Sequence, residues 1–235
     1  MSERVARNQV EGIPDIVVRG IFSLRRAPAR LCESCRFAVR PTLVMWLVFL
    51  VGASAIILAN FNYIDDMGRV ADGYKGWDDF SRYTSNFLSG FMHADDYLTD
   101  VSPLTQMVAA LELAVASVAT VYVITGRRSL TVWLVAAVLP LGLSPYFLEC
   151  LSYKYDSPYM ALSVLASVLP LLLARRGWLP YGLAVIAGEL VVCTTYQAAT
   201  GILPLLVIVV ALRQWSRGRS TRGVLGFVFF SAGAY

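Results

Sequence analysis

Long apolar runs alternate with short polar segments along most of the chain. Several of these runs reach about 20 residues, which is the length that crosses the hydrocarbon core of a bilayer. One polar segment, residues 60–100, is much longer than the others and separates the first apolar run from the second. The pattern predicts an all-α protein, a polytopic transmembrane helix bundle with short interfacial helices in its first outer loop.

The apolar runs divide into about six full spans and a truncated seventh. The run at 178–212 has 35 residues, too many for one crossing, and the polar group at 194–197 splits it into two short spans. The last run has only 13 residues, so we expect the chain to be the amino-terminal part of a longer protein. The predicted spans are 42–59, 101–125, 130–148, 158–174, the two halves of 178–212, and the incomplete 223–235.

Composition and charge agree with a membrane protein and orient it. Charged residues make up 15% of the chain, against about 25% in soluble domains. Sixteen of the 20 Lys and Arg residues fall on one side of the predicted spans and four on the other. Because positive loops stay in the cytoplasm, the amino terminus is expected there, and residues 60–100 outside.

Two domains follow from this pattern: a basic cytoplasmic tail at 1–41 and a transmembrane domain at 42–235. Part of the tail, residues 16–40, is either an amphipathic helix on anionic lipid or a plain tail that obeys the charge rule. Cys32 and Cys35 form a CxxC pair without two further metal ligands nearby, so we expect two reduced thiols.

The first outer loop concentrates ionisable and aromatic side chains. It holds eight of the 16 acidic residues, nine aromatic residues and the only histidine, His93. A plain connector needs only a few polar residues, so we interpret this loop as the functional centre. A metal site built on His93 would lack clear partners, and no metal ligand is assigned.

Asp65 and Asp66 lie close to the end of the first span. If residues 64–72 are helical, Asp65, Arg69 and Asp72 share one face at i, i+4 and i+7. Such a face offers a carboxylate that takes a proton and a guanidinium that holds an anion. The alternative interpretation is a solvated helix start with an ordinary ion pair.

Other polar residues are expected on the same side of the membrane. Arg82 is a possible phosphate contact in a segment whose Trp77, Phe80 and Tyr83 would anchor at head-group level. In the next outer turn, Lys154 could neutralise a phosphate, and Asp156 could bind sugar hydroxyls or cap the fourth span. The predicted substrate-binding residues are Arg69, Arg82, Lys154, Tyr155, Asp156, Tyr196 and Gln197.

Three glutamates lie in or beside the spans, where an ionisable group is costly and therefore a functional candidate. Glu149 is expected near the outer interface. Glu112 and Glu189 lie deeper and could pair inside the bundle.

Five stretches between residues 60 and 203 are informative together: NYIDDMGRVADGY, SRYTSNFLS, YLTDVSPLTQ, YKYDSPYMALSVLASVLP and CTTYQAATGI. Over roughly residues 60–203 they resemble one family, the membrane glucosyltransferases that modify bacterial O-antigen. These proteins are similar to GT-C type glycosyltransferases.

The resemblance implies a multi-pass enzyme of the bacterial inner membrane. It would transfer glucose from a polyprenyl-phosphate-linked donor to a lipid-linked surface polysaccharide at the outer face, among membrane lipids. It also implies an essential acidic pair in the first outer loop, matched here by Asp65 and Asp66 as catalytic residues. No cofactor is expected, a divalent metal is left open, and no nucleic acid is involved. The chain carries no P-loop and no dinucleotide fingerprint.

The local chemistry suits such a transfer. An acceptor hydroxyl must lose a proton as it attacks, and Asp65 or Asp66 could take it. The leaving lipid phosphate gains charge, which Arg69, Arg82 or Lys154 could offset. The alternative is a non-enzymatic lipid-sugar flippase or transporter, which would place its site near the membrane midplane.

Overall fold

The computed structural model describes residues 38–127 and 131–235, and every regular element in those ranges is a helix. This confirms the all-α class. The CxxC pair and most of the predicted tail lie outside the described residues.

The first predicted span is broken near its end. Helix α1 covers Ala38–Gly52 and α2 covers Ser54–Ala59, with Ala53 between them in a non-helical conformation. Helix α2 ends at Asn60, whose φ of 46° is left-handed. That turn directs the chain out of the bundle and into the first loop.

Within the first loop, residues 60–100, the chain forms short helices as predicted. They are α3 (Asp65–Asp72), a 3₁₀ turn (Asp78–Phe80) and α4 (Tyr83–His93). Helix α4 buries Ser85, Ser89 and His93 on one face. Its opposite face exposes Phe87 and Phe91, whose rings meet edge-to-face with centroids 5.1 Å apart.

The rest of the described chain is a helical bundle. Pro140 and Pro145 begin helices and Pro158 is the second residue of one, in agreement with proline's preference for the first turn, where its missing N–H leaves no bond unmade. The helices are α5 (Leu104–Thr125), α6 (Val132–Val138), α7 (Pro140–Leu143), α8 (Pro145–Ser152), α9 (Ser157–Val168) with the 3₁₀ extension Leu169–Leu173, α10 (Trp178–Thr195), the 3₁₀ turn Gln197–Ala199, α11 (Ile202–Ser216) and α12 (Thr221–Ala234).

Three described helices are long and apolar enough to cross a membrane: Leu104–Thr125, Trp178–Thr195 and Gln197–Ser216. The pair Val132–Leu143 and Pro145–Ser152, bent by 50°, counts as a fourth if it forms one broken span. The predicted division of the 178–212 run is therefore confirmed, with the break at Tyr196. By length and composition, the described helices do not reach the predicted count of six spans and a truncated seventh. Three further apolar helices are too short, with 10–17 residues each. These are Ala38–Gly52, Ser157–Leu173 and Thr221–Ala234.

Helix α9 forms the centre of the bundle, where it packs against both α5 and α10. Small side chains allow these helices to approach closely, as is common in membrane bundles. At Gly188 of α10, an added Cβ would lie 2.7 Å from the carbonyl oxygen of Ala166. Because α9 begins directly after the 153–157 turn, this packing holds the turn at one end of the bundle.

Candidate active site

Asp66 joins the start of α3 to the 153–157 turn. Its side chain is fully buried, and its carboxylate accepts backbone N–H bonds from Lys154 at 2.9 Å and Tyr155 at 3.4 Å. It also accepts the N–H of Tyr63 at 3.3 Å. Burial raises the pKa of Asp66, and the three backbone hydrogen bonds partly oppose that rise. Both oxygens are therefore occupied by the fold itself.

Asp156 makes the second link between the same two segments. Its buried carboxylate accepts hydrogen bonds from the Arg69 guanidinium and, at 2.5 Å, from the indole Nε1 of Trp77. Arg82 adds a longer ion pair, with Nη1 3.7 Å from Asp156 Oδ1. The Arg69 guanidinium also lies 4.4 Å from the ring centroid of Trp77. We call Asp66, Asp156, their hydrogen-bond donors and Arg82 the loop–turn network.

Two expectations for these residues were wrong. Trp77 does not anchor at head-group level, because it is fully buried with its N–H bonded to Asp156. Phe80 and Tyr83, by contrast, are exposed. Asp156 precedes α9, but its side chain makes no capping hydrogen bond there. Its carboxylate instead faces the first loop.

Three residues expected on one face of α3 differ in burial: Asp65, Arg69 and Asp72. Residues 65–72 do form the helix on which that face depended, yet Arg69 is buried and pairs with Asp156. Asp65 and Asp72 are exposed. The ion pair of Arg69 is therefore long-range rather than within α3, and Asp65 stays open to solvent.

Two residues before Asp65, the half-buried Tyr63 contacts the half-buried Tyr153 and the exposed Glu149. The hydroxyl of Tyr63 donates to Glu149 Oε1 at 3.3 Å, which places Glu149 beside the loop. The rings of Tyr63 and Tyr153 meet edge-to-face, with centroids 4.9 Å apart. Burial raises the pKa of Tyr153, and the negative charge of Asp65 raises it further. Asp65 is exposed and directly precedes the buried Asp66, at the accessible edge of the loop–turn network.

Arg82 is the partly open cation of the site. Its side chain is 27% exposed, and its guanidinium carbon lies 5.4 Å from the ring centroid of Tyr196. The hydroxyls of Tyr196 and Tyr146 are 2.9 Å apart. Gln197 is exposed and donates locally to the carbonyl of Cys193. The structure thus brings Tyr196 to the network through Arg82, whereas the side chain of Gln197 makes no hydrogen bond to the network within the described ranges.

Lys154 is buried and donates to Asp100 Oδ2 at 2.9 Å. Its charge is therefore balanced inside the fold. The buried Tyr155 stacks on His93, with ring centroids 5.6 Å apart and planes at 19°. His93 Nδ1 lies 2.8 Å from the carbonyl oxygen of Thr99. Sequence reasoning missed this role of His93, and the only available signal was its being the single histidine.

The remaining ionisable groups do not extend the site. Glu112 and Glu189 each keep one buried carboxylate oxygen without a hydrogen-bond partner among the described residues. Neither makes an ion pair with another described residue, so the expected pairing inside the bundle is not seen. In the described ranges, no three His, Cys, Asp or Glu residues are grouped to hold a metal ion.

One known protein family matches a part of the chain that contains both the first loop and the 153–157 turn. The sequence profile described as "Glucosyl transferase GtrII" matches residues 54–235. The chain belongs to this family. Within the GtrII family match lie both halves of the loop–turn network, residues 60–100 and 153–157.

A curated relative agrees with the family assignment. The chain is 32% identical over 107 residues to an "Uncharacterized 55.3 kDa protein in gtrB 5'region" of Salmonella phage P22. The match covers 46% of this chain and 22% of the length of that relative. No solved structure matches the chain.

The environment of His93 predicts a pH dependence of stability. Burial lowers its pKa below the ordinary 6.5, because a protonated ring would place an Nε2–H donor where the described residues offer no acceptor. Between these two pKa values the unfolded chain binds a proton that the folded chain does not. The contribution of the neutral His93 ring to the free energy of unfolding is therefore complete above pH 6.5. It is lost as the pH falls through the pKa that His93 has in the folded chain.

We expect the thermal midpoint in detergent to fall when the pH is lowered from 7.5 to about 5. His93→Gln should reduce that fall, because glutamine does not titrate. Parallel midpoint curves for the two proteins would show that His93 is not the responsible group. The measurement is thermal unfolding followed by circular dichroism across the pH series.

Proposed function

We propose that this protein is a membrane glucosyltransferase of GT-C type. It transfers glucose from a polyprenyl-phosphate-linked donor to a lipid-linked O-antigen polysaccharide at the outer face of the bacterial inner membrane. The observation that carries the proposal is the GtrII family match, which includes the whole loop–turn network. The geometry then suggests a separate task for each predicted site residue.

Asp65 is the proposed catalytic base. A base needs a free oxygen within reach of the acceptor hydroxyl, and Asp65 is exposed at the edge of the network. Asp66 has both oxygens engaged by backbone N–H groups. We therefore assign Asp66 a positioning role, in which it sets the start of α3 and hence the direction of Asp65.

Arg82 is the proposed contact for the donor phosphate. Arg69 and Lys154 are buried beside Asp156 and Asp100, so their charge is already balanced. Arg82 is only loosely paired with Asp156 and is partly exposed. A partly exposed cation beside the donor would stabilise the charge that grows on the leaving phosphate. Arg69 and Lys154 then position the site without touching the substrate.

Aromatic side chains near Arg82 are proposed to contact the sugar. Tyr196 lies beneath the guanidinium, and Tyr146 extends that surface through its hydroxyl contact. Gln197 follows directly in sequence and is exposed. Tyr155 is buried against His93, so we assign it to the support of the turn.

A transporter is the less favoured alternative because of where the charged residues lie. Asp100 precedes α5, Asp156 precedes α9 and Tyr196 follows α10, so the network gathers at helix ends. Transporters commonly bind substrate near the midplane, between broken helices. Glu112 and Glu189 are the deeper ionisable groups, and they are not joined to each other or to the network by an ion pair between described residues.

The proposed topology has six spans and a seventh that begins in α12, with a cytoplasmic amino terminus. Residues 42–235 then form the transmembrane domain, and the short apolar helices α1, α9 and α12 contribute to crossings. The charge asymmetry supports this orientation, because loops rich in arginine stay in the cytoplasm. The loop–turn network would then face outward.

The activity test separates the base from its neighbours. We expect Asp65→Asn to lower glucose transfer by about 10²- to 10⁴-fold, because the acceptor proton loses its base. Arg82→Gln should reduce use of the donor by a smaller factor. Asp79→Asn is the matched control, since Asp79 is an exposed carboxylate of the same loop, and its activity should stay near wild type. The assay is glucose transfer from a polyprenyl-phosphate donor in membranes with matched expression.

Two results would contradict these roles. Near-wild-type transfer by Asp65→Asn, with loss in a normally folded Asp66→Asn, would move the base to Asp66. Near-wild-type transfer by both variants would show that the acidic pair is not catalytic.

The orientation is tested by cysteine labelling in a cysteine-free background. Asp95 is exposed in the first loop, whereas Ser85 is buried and unsuitable for a label. We expect Asp95→Cys to react with an impermeant thiol reagent in intact cells. Ser216→Cys, near the arginine-rich loop, should react only after permeabilisation. The reverse pattern would overturn the orientation.

A further inference from the structure

An apolar groove lies between α11 and α12, at a distance in sequence from the loop–turn network. It has a volume of about 290 Å³, and its walls are almost entirely hydrocarbon. The lining residues are Ile208, Ala211, Leu212, Trp215, Thr221, Val224, Leu225 and Val228. Thr221 supplies the one hydroxyl group of this lining.

The loop that joins these two helices carries unbalanced positive charge. Arg213 donates to the carbonyls of Val123 and Thr125, and Arg219 donates to the side chain of Gln214. The exposed Arg217 and Arg222 have no side-chain hydrogen bond or ion pair with another residue of the described ranges. The sequence has no Asp or Glu after Glu189, so no acidic residue of this segment can balance them.

Trp215 connects the groove with the charged loop. It lines the groove, is 62% exposed and lies two residues before Arg217. Exposed tryptophans of membrane proteins favour the head-group level, where the indole ring is partly apolar and its N–H stays hydrated. The apolar groove therefore begins where an acyl chain would enter, and the arginines lie where a phosphate would be.

We propose that this groove binds one anionic phospholipid. An acyl chain occupies the apolar lining, and the head-group phosphate contacts Arg217 and Arg222. Charge complementarity selects this occupant, because guanidinium groups pair strongly with phosphate. The same segment of a second copy would offer no carboxylate to pair with these arginines, because the sequence has no Asp or Glu after Glu189. This inference is independent of the proposed glucosyl transfer.

The test is native mass spectrometry of the 235-residue chain in detergent, with phosphatidylglycerol or phosphatidylcholine added. We expect one retained phosphatidylglycerol and at least about tenfold weaker retention of phosphatidylcholine. Arg217→Gln with Arg222→Gln should lower phosphatidylglycerol retention by a similar factor. Arg175→Gln with Arg176→Gln is the matched control, because it removes the same charge from another exposed loop, and its retention should be unchanged.

A second variant tests the groove itself. Val224→Trp fills the apolar lining and should lower phosphatidylglycerol retention while both arginines stay in place. Equal retention of the two lipids, equal loss in the Arg175 and Arg176 control, or a lipid-free dimer would overturn the proposal. If Val224→Trp does not fold, the paired arginine variants still decide the result.

Discussion

The buried carboxylate of Asp156 is the constraint on which the first loop depends. Removing a carboxylate from water costs roughly several kcal/mol per ion unless donors surround it. Arg69 and Trp77 donate those hydrogen bonds, Arg82 adds a longer ion pair, and all three residues come from the first loop. The loop must therefore fold over the 153–157 turn, or the charge stays uncompensated.

Asp66 reinforces this arrangement from the opposite direction. Here the carboxylate belongs to the loop, and the donors are backbone N–H groups of Lys154 and Tyr155. The two links join residues 87 and 88 positions apart in sequence. Because each segment supplies a carboxylate to the other, loss of one link leaves a buried charged group unpaired.

This arrangement separates groups that hold the site from groups that remain free to act. Asp66, Arg69 and Lys154 are engaged inside the fold, whereas Asp65 and Arg82 lie at its accessible edge. A transferase profits from such a division, because preorganised supporting residues keep the reacting groups in place. The proposed base lies at the edge of the network, and the proposed phosphate contact, Arg82, is its partly exposed cation.

The sequence predicted the helical class and the break at Tyr196, because both follow from apolar run length. It also predicted that the first loop and the 153–157 turn share one side, and the face expected for Asp65, Arg69 and Asp72 assumed a helix at 64–72. It did not predict which face of α3 is buried or that Trp77 is internal. Those features depend on Asp156, far away in sequence, and local spacing carries no information about that partner.

The most direct test of the loop–turn network is a double-mutant cycle on Arg69→Gln and Asp156→Asn. The free energy of unfolding would be measured for the wild type, both single variants and the double variant in detergent micelles. A network held by this pair predicts that the double variant loses less than the sum of the single losses, by about 0.5–3 kcal/mol. Losses that add within about 0.5 kcal/mol would show that the two residues do not depend on each other.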